Sequence, residues 1–384
     1  SIGQNVALLD LGNPGMVDKV EEAEEAKVAK LYTFSGLERV EVEGASAGDI
    51  VALTGIEGVE IGKTLSDPEH QERLLGIAVE EPTLSMDFTV NNSPFAGQSG
   101  KFVTTRHLRE RLYRELEHNV ALRVEDTEYP ETLTVSGRGE LHLSILIETM
   151  RREGYEFQVS RPRVITRTGV DGGIQEPYEE ALIEVPSEIV GTVIEKLGSR
   201  KGEMTNLRPM GDSGTTRLSL RVPARGLVGY RSEFLTDTRG EGVLHHQFHS
   251  WGPWAGLLKG RGRGVLVADR VGKSVGFALQ NLQERGTLFV SPGEEVYGGM
   301  IVGENARPGD LDVNVAKEKK LTNMRAAGSD ESIKLEPPRR ITLEAALEFI
   351  EDDELIEITP DAVRLRKTVL DQNMRKKAAK RAKG

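Results

Sequence analysis

"VSGRGELHLSILIETMRREGYEF", Val135 to Phe157, changes its apolar period midway, and that change decides the fold. Residues up to Gly137 continue the extended run "ETLTVSG". Leu143, Leu146, Ile147 and Met150 then recur at i, i+3, i+4 and i+7, which places four apolar side chains on one helical face. Gly154 suits the end of that helix, and "YEFQVS" resumes a strand. Upstream, "LLGIAVEEPTLSMDFTV" reads as a strand. Leu108, Leu112 and Leu116 follow at four-residue spacing, with Thr104 or Thr105 as N-cap. Two such units predict a split-βαβ, ferredoxin-like domain over residues 75–161.

The pattern returns over residues 162–252. Ala181, Ile183 and Val185 alternate within "EEALIEV", Ser187 is placed to cap a helix, and Val190, Val193, Ile194 and Leu197 repeat the helical stripe. Gly198 is expected to end that helix in the left-handed conformation. In "TRLSLRVP", Leu218, Leu220 and Val222 oppose Arg217, Ser219 and Arg221, as in a strand wet on one side. A helix from Leu227 to Thr238 and the strand "GEGVLHHQFHSW" complete a second ferredoxin-like domain. Residues 1–74 alternate short apolar runs with "GNPG", "EGASAGD" and "GIEG", which predicts a small β-barrel incomplete at its N-terminus. Residues 253–384 read as a β-rich domain with a short helix from Thr342 and a basic tail. The fold class is therefore multidomain α+β.

The chain carries a net charge of -11, no cysteine, and no apolar run long enough to span a bilayer. That composition excludes disulfide frameworks and thiolate metal sites and predicts a soluble, cytoplasmic protein with no membrane partner. "GVEIGKT" imitates a phosphate loop, but Glu57 stands where glycine is required; "VGKS" fails likewise at Val267. His245, His246 and His249 resemble a zinc cluster, but a strand puts His246 on the opposite face from the other two. A metal-dependent enzyme built on them remains the alternative from another class. "EDDELIE", Glu351 to Glu357, reads as a solvated acidic turn.

Cations gather instead on turns. Arg200 and Lys201 sit at a helix end, Lys259, Arg261 and Arg263 on the glycine frame "KGRGRG", and "AKEKKLTNMRAAGSD" supplies Lys317, Lys319, Lys320 and Arg325. Separately each group reads as a solvated loop. Together they form a plausible phosphate-contacting set within an acidic chain.

The Val135–Phe157 stretch resembles the third domain of elongation factor G-like translational GTPases, where Ser-Gly-x-Gly-Glu-Leu-His-Leu opens a helix. "QEPYEEALIEVP" and "RGLVGYRSEFLTDTRGEG" resemble the fifth. "KKLTNMRAAGSDE" with "PPRRITLEAALEFIEDDELIEITP" resembles the ribosome-associated BipA/TypA family in particular. Another elongation factor G-like factor is the nearer alternative, but the short connection between residues 161 and 175 leaves no room for the fourth domain it requires. The resemblance implies that a GTPase domain binding GTP and magnesium precedes this chain, so the chain itself is expected to hold no cofactor and to catalyse nothing. It implies ribosomal RNA, ribosomal proteins and the tRNA acceptor end as partners, with no DNA, and roles in large-subunit assembly and in translation under stress. The matching contact residues are Lys317, Lys319, Lys320, Thr322, Asn323 and Arg325.

Overall fold

A computed structural model describes residues 1–9, 24–59, 61–72, 74, 81–211, 214–258, 260–318 and 334–381. The chain divides into two compact units, residues 1–80 with 114–120, and residues 81–113 with 121–384.

In the first unit, β1 (Asn5–Leu9) pairs with β2 (Glu24–Lys27), β3 (Lys30–Ser35) pairs with β4 (Glu38–Glu41) and β5 (Val51–Thr54), and β6 (Thr64–Ser66) returns to the free edge of β1. The expected strands are present, but among the described residues they form two separate three-stranded sheets and no closed barrel.

The second unit opens with the predicted plan. β7 (Leu84–Val90), α1 (Thr105–Leu116), β8 (Arg123–Asp126), β9 (Thr132–Gly137), α2 (Glu140–Arg152) and β10 (Phe157–Val159) give the antiparallel order β10-β7-β9-β8, which is ferredoxin-like. Leu84, Met86 and Phe88 alternate inward on β7, and Leu143, Leu146, Ile147 and Met150 of α2 are buried. Leu141 and Ile145 stay exposed, so the helix has the phase read from its spacing. The Thr104 hydroxyl accepts from the His107 amide at 3.4 Å and caps α1.

Two short strands, β11 (Arg163–Val164) on β7 and β12 (Arg167–Thr168) on β13 (Ile174–Pro186), lead into the second copy. There β13, α3 (Val190–Ser199), β14 (Glu203–Pro209), β15 (Thr215–Pro223), α4 (Ala224–Leu227), α5 (Tyr230–Asp237) and β16 (Val243–Pro253) give the order β16-β13-β15-β14. Its core joins Ala181, Ile183, Val185, Leu218, Leu220 and Val222 to Val193, Leu197, Tyr230 and Phe234. Three local expectations change. The Ser187 hydroxyl is spent on the Gly214 carbonyl and is not the residue that caps α3. The single helix expected from Leu227 is broken by Gly229, which takes φ 72°. Finally, Gly198 lies inside α3, and Lys201 takes the left-handed position.

The remainder forms a sheet ordered β19-β21-β17-β22, from β17 (Val265–Ala268), then β18 (Gly272–Lys273) and α6 (Gly276–Leu282) as the next elements, β19 (Gly286–Leu288), β20 (Glu295–Val296), β21 (Ile301–Asn305) and β22 (Leu311–Val313). β18 and β20 make a separate ribbon. α7 (Leu343–Phe349) begins after Thr342, whose hydroxyl accepts from the Ala345 amide at 3.3 Å, as its sequence position indicates. β23 (Glu354–Ile358) and β24 (Val363–Lys367) form a hairpin that extends the first ferredoxin-like sheet beyond β10, and α8 (Gln372–Arg381) follows. The segment from residue 253 is thus built partly into the sheet of residues 84–164.

Of the acidic turn expected at Glu351–Glu357, only Asp352 and Asp353 form an exposed turn; from Glu354 onward the run is this buried strand. Glu357 is fully buried and accepts from Tyr297 Oη (2.7 Å), Ser93 Oγ (3.0 Å), Asn91 Nδ2 (3.1 Å) and Arg364 Nη1 (3.2 Å). Glu354, also buried, faces Lys367 Nζ at 2.9 Å, which in turn reaches Asp353 and Asp310. Paired and hydrogen-bonded carboxylates tolerate burial where isolated ones do not.

Glu140 is half-buried and has no cation paired with it among the described residues. Glu140 Oε2 accepts only a long bond from the Gly229 amide, 3.4 Å. Burial, reinforced by the nearby Glu348 and more weakly by Glu344, pushes its pKa up to about 7 against a small opposing pull from His246. The folded state holds this proton more tightly than the unfolded chain, so the stability it contributes is full below the ordinary carboxylate pKa and is lost as pH rises through 7. Urea unfolding at pH 5 and pH 8 should therefore show Glu140→Gln gaining on the order of 1–3 kcal/mol relative to the native chain at the higher pH. A pH-independent difference would remove this account. Ile147→Ala should cost about 2–5 kcal/mol and Leu141→Ala almost nothing, by the same measurement.

Candidate nucleic-acid interface

The basic segment is anchored at both limbs. On the outgoing side, the Asp269 amide donates to the Val313 carbonyl (3.0 Å) and the Val275 amide to that of Val315 (2.9 Å), while the Val315 side chain enters the core. On the return side, Gln283 uses both ends of its amide: Nε2 donates to the Lys334 carbonyl (3.0 Å) and Oε1 accepts from the Glu336 amide (3.2 Å). The Arg339 amide adds a bond to the Leu288 carbonyl at 2.8 Å, and Leu335 packs against the same core. Lys317 is exposed at the outgoing limb. Lys319, Lys320, Thr322, Asn323 and Arg325 lie outside the described residues, as does Lys259.

The other candidates separate into two kinds. Arg261 is an internal strut: its guanidinium holds Glu354 (2.8 and 3.1 Å) and the Phe349 carbonyl (2.8 Å) and lies 4.2 Å over the Phe349 ring. Arg200 donates to the carbonyls of Gly226 and Val228 and to Glu233, and covers Tyr230. Neither guanidinium projects from its loop as the glycine-rich or helix-end setting had led us to expect. Arg263 is 63% exposed and keeps only a loose 3.7 Å pairing with Glu304.

Lys201 is exposed and has no acidic partner among the described residues. The Gly202 amide donates to the Leu197 carbonyl (2.7 Å) and the Lys201 amide to that of Gly198 (3.0 Å), which together form a Schellman end to α3. Lys201 fills the left-handed position of that motif, φ 67°, where glycine is favoured. Sequence reasoning missed its counterpart. Arg239, φ 53°, fills the same position after α5, with the Gly240 amide on the Leu235 carbonyl (2.8 Å), and its side chain is exposed. An arginine followed by glycine directly after a helix was the available signal. Gln283 had none, because one amide at a helix end is indistinguishable from any surface glutamine.

The histidines do not converge. His246 Nδ1 is hydrogen-bonded to Glu179, and a bulge between Tyr178 and Glu179 leaves His249 without a cross-strand partner on β13. No group of residues suited to a metal occurs among the described residues, and among them no helix is long and apolar enough to cross a membrane.

The described fold thus contains two ferredoxin-like copies with exposed cations closing α3 and α5. The family model described as "Elongation factor G C-terminus" matches residues 173–261, the second copy. The model described as "TypA/BipA C-terminal domain" matches residues 263–372. The chain is 49% identical over its whole length to the large ribosomal subunit assembly factor BipA of Bacillus subtilis (strain 168), covering 61% of that protein. It is 51% identical over 94% of its length to the BipA of Escherichia coli (strain K12), of which it covers 60%. To the BipA of Synechocystis sp. (strain ATCC 27184 / PCC 6803 / Kazusa) it is 52% identical over 92% of its length, covering 58%. The chain belongs to the TypA/BipA family, and it spans about three fifths of the length of these relatives.

Removing each kind of cation should move stability in opposite directions. Lys201→Gly relieves the left-handed residue and should raise stability by about 0.5–1 kcal/mol. Arg261→Ala leaves the buried Glu354 with Lys367 alone and the Phe349 carbonyl without this donor, and should lower it by about 1–3 kcal/mol. Chemical denaturation of both variants checks the pair.

Proposed function

We propose that this chain is the ribosome-contacting part of a translational GTPase of the TypA/BipA type, acting in large-subunit assembly and in translation under stress. In this reading, residues 1–74, 75–161 and 162–252 set the pose. The segment 253–384 carries a contact to ribosomal RNA and the tRNA acceptor end through Lys317, Lys319, Lys320, Thr322, Asn323 and Arg325. Lys201 and Arg263 add phosphate contacts, and Lys259 is kept in the set. GTP, magnesium and hydrolysis belong to a further domain of the intact protein, which works in the cytoplasm without membrane or DNA.

The observation that carries the reading is the anchored root of the basic segment. Two chain limbs, one fixed at Asp269 and Val275 before α6 and the other at Gln283 and Leu288 after it, give a run of lysines a defined origin, and cations so placed meet phosphate without requiring a basic body. The names of the relatives, large ribosomal subunit assembly factors, support the choice of ribosomal RNA as the polyanion.

The test is co-sedimentation with purified large ribosomal subunits across a salt series. Replacing Lys317, Lys319 and Lys320 together by glutamate should weaken binding and reduce the steepness of its salt dependence by ~2–3, close to one unit for each phosphate that a lysine no longer neutralises. An unchanged slope would count against the assignment.

A further inference from the structure

We propose that α8 is a second polyanion-binding element that takes the sugar-phosphate backbone of RNA along one face. The proposal deepens the reading above and rests on it for the choice of RNA.

α8 contains Arg375, Lys376, Lys377, Lys380 and Arg381 and no acidic residue. At 3.6 residues per turn, Lys376, Lys380, Lys377 and Arg381 fall within an arc of roughly 140°. Arg375 points elsewhere and acts as the anchor: its guanidinium donates to the carbonyls of Leu370 (2.6 Å) and Val369 (3.1 Å) and to Asp312 of β22. Lys376 keeps a long 3.8 Å pairing with the same aspartate. Lys377, Lys380 and Arg381 have no acidic partner among the described residues. β22 runs directly into the outgoing limb of the basic segment, so the anchor ties α8 to the strand that leads there.

Two features make this helix unusual in the free protein. It has no apolar stripe: Met374 is 60% exposed, and of its described side chains only Gln372 and Arg375 are partly covered. Lys376 with Lys380, and Lys377 with Arg381, are like-charge pairs at i, i+4, which oppose helix formation. Favourable interaction with the helix dipole accounts for Lys380 and Arg381 in the last turn but not for Lys376 and Lys377. A bound polyanion removes both penalties. A membrane surface fits poorly, since an interfacial helix needs a broad apolar face and α8 offers one methionine and two alanines.

The experiment uses the 384-residue chain with Lys377→Gln, Lys380→Gln and Arg381→Gln combined, leaving Arg375 in place. Binding to a labelled double-stranded RNA hairpin is measured by fluorescence anisotropy over a salt series, with the thermal melt as a folding control. The expected result is an unchanged melt and a salt slope shallower by ~2–3. A slope equal to that of the native chain overturns the proposal. So does equal loss of binding to polyglutamate or to phosphatidylglycerol vesicles, because the face would then be an unselective anion site. The Lys317/Lys319/Lys320 variant, run in parallel on large subunits, separates the two ideas. If it loses binding while the α8 variant keeps its slope, only the present inference fails. If neither variant alters subunit binding while the α8 variant flattens the hairpin slope, the ribosomal reading fails and α8 stands as an RNA-binding face.

Discussion

The pairing of β10 with β23 is the constraint on which the second unit depends. Phe157, Gln158 and Val159 oppose Ile358, Glu357 and Ile356, so a strand close to the C-terminal end of the chain completes a sheet begun at Leu84. This burial takes Glu354 and Glu357 away from water along with Ile356 and Ile358. An unpaired carboxylate in that position would unfold the hairpin or take up a proton. Instead Arg364 and Lys367 arrive from β24 in register, Glu357 opposite Arg364 and Glu354 opposite Lys367. Burial alone raises the pKa of Glu354, but Arg261 and Lys367 outweigh it and hold the carboxyl below its usual range. Tyr297 and Asn91 bring the small sheet and the loop after β7 to the same Glu357. Phe95 follows them, meeting Tyr297 edge-on at 5.0 Å within the core that also contains Val315. The polar seam and the root of the basic segment thus meet in one apolar core.

Local periodicity made both ferredoxin-like copies readable. Their helices carry apolar stripes at helical spacing and their strands alternate, so sequence and structure agree on Leu143, Leu146, Ile147 and Met150, and on Leu218, Leu220 and Val222. The failures have a common origin in long-range partners. A run of carboxylates looks solvated until the strand "VRLRK" is seen to lie opposite it, and nothing in "EDDELIE" itself announces that hairpin. The arginine of "KGRGRG" looks projecting until Phe349 and Glu354 are brought beneath it from ninety residues away. Closure of a barrel, likewise, depends on pairings between strands that each look correct alone. The departure at Gly198 is different in kind. Three residues on, a lysine accepts a backbone conformation that composition would have given to glycine.

The distinction between spent and unspent cations then organises the surface of an acidic protein. Arg200, Arg225, Arg261 and Lys367 each satisfy internal carboxylates or carbonyls. They contribute to the arrangement of the chain while presenting little field to a partner. With a net charge of -11 the chain offers no diffuse attraction to RNA, so the proposed phosphate contacts rest on the few cations that the fold leaves uncompensated. Counting basic residues in a loop does not identify them. What identifies them is a donor set with no internal acceptor in reach.

That criterion gains force because the uncompensated cations occupy positions that cost local stability. Lys201 and Arg239 are the two non-glycine residues with positive φ among the described residues, both close helices at a site where glycine is less strained, and both are exposed. α8 sets lysine four residues from lysine and from arginine with no acid between them. Sequences are otherwise locally consistent here, with Thr104 and Thr342 capping helices and the two apolar cores filled in register. Each of these departures favours the same charge, and that shared sign supports the proposed contact with a polyanion. Phosphate on a ribonucleic acid surface would supply the opposite charge, which is why the proposed contact face is drawn from these exposed cations and not from arginines such as Arg261 that are spent on internal acceptors.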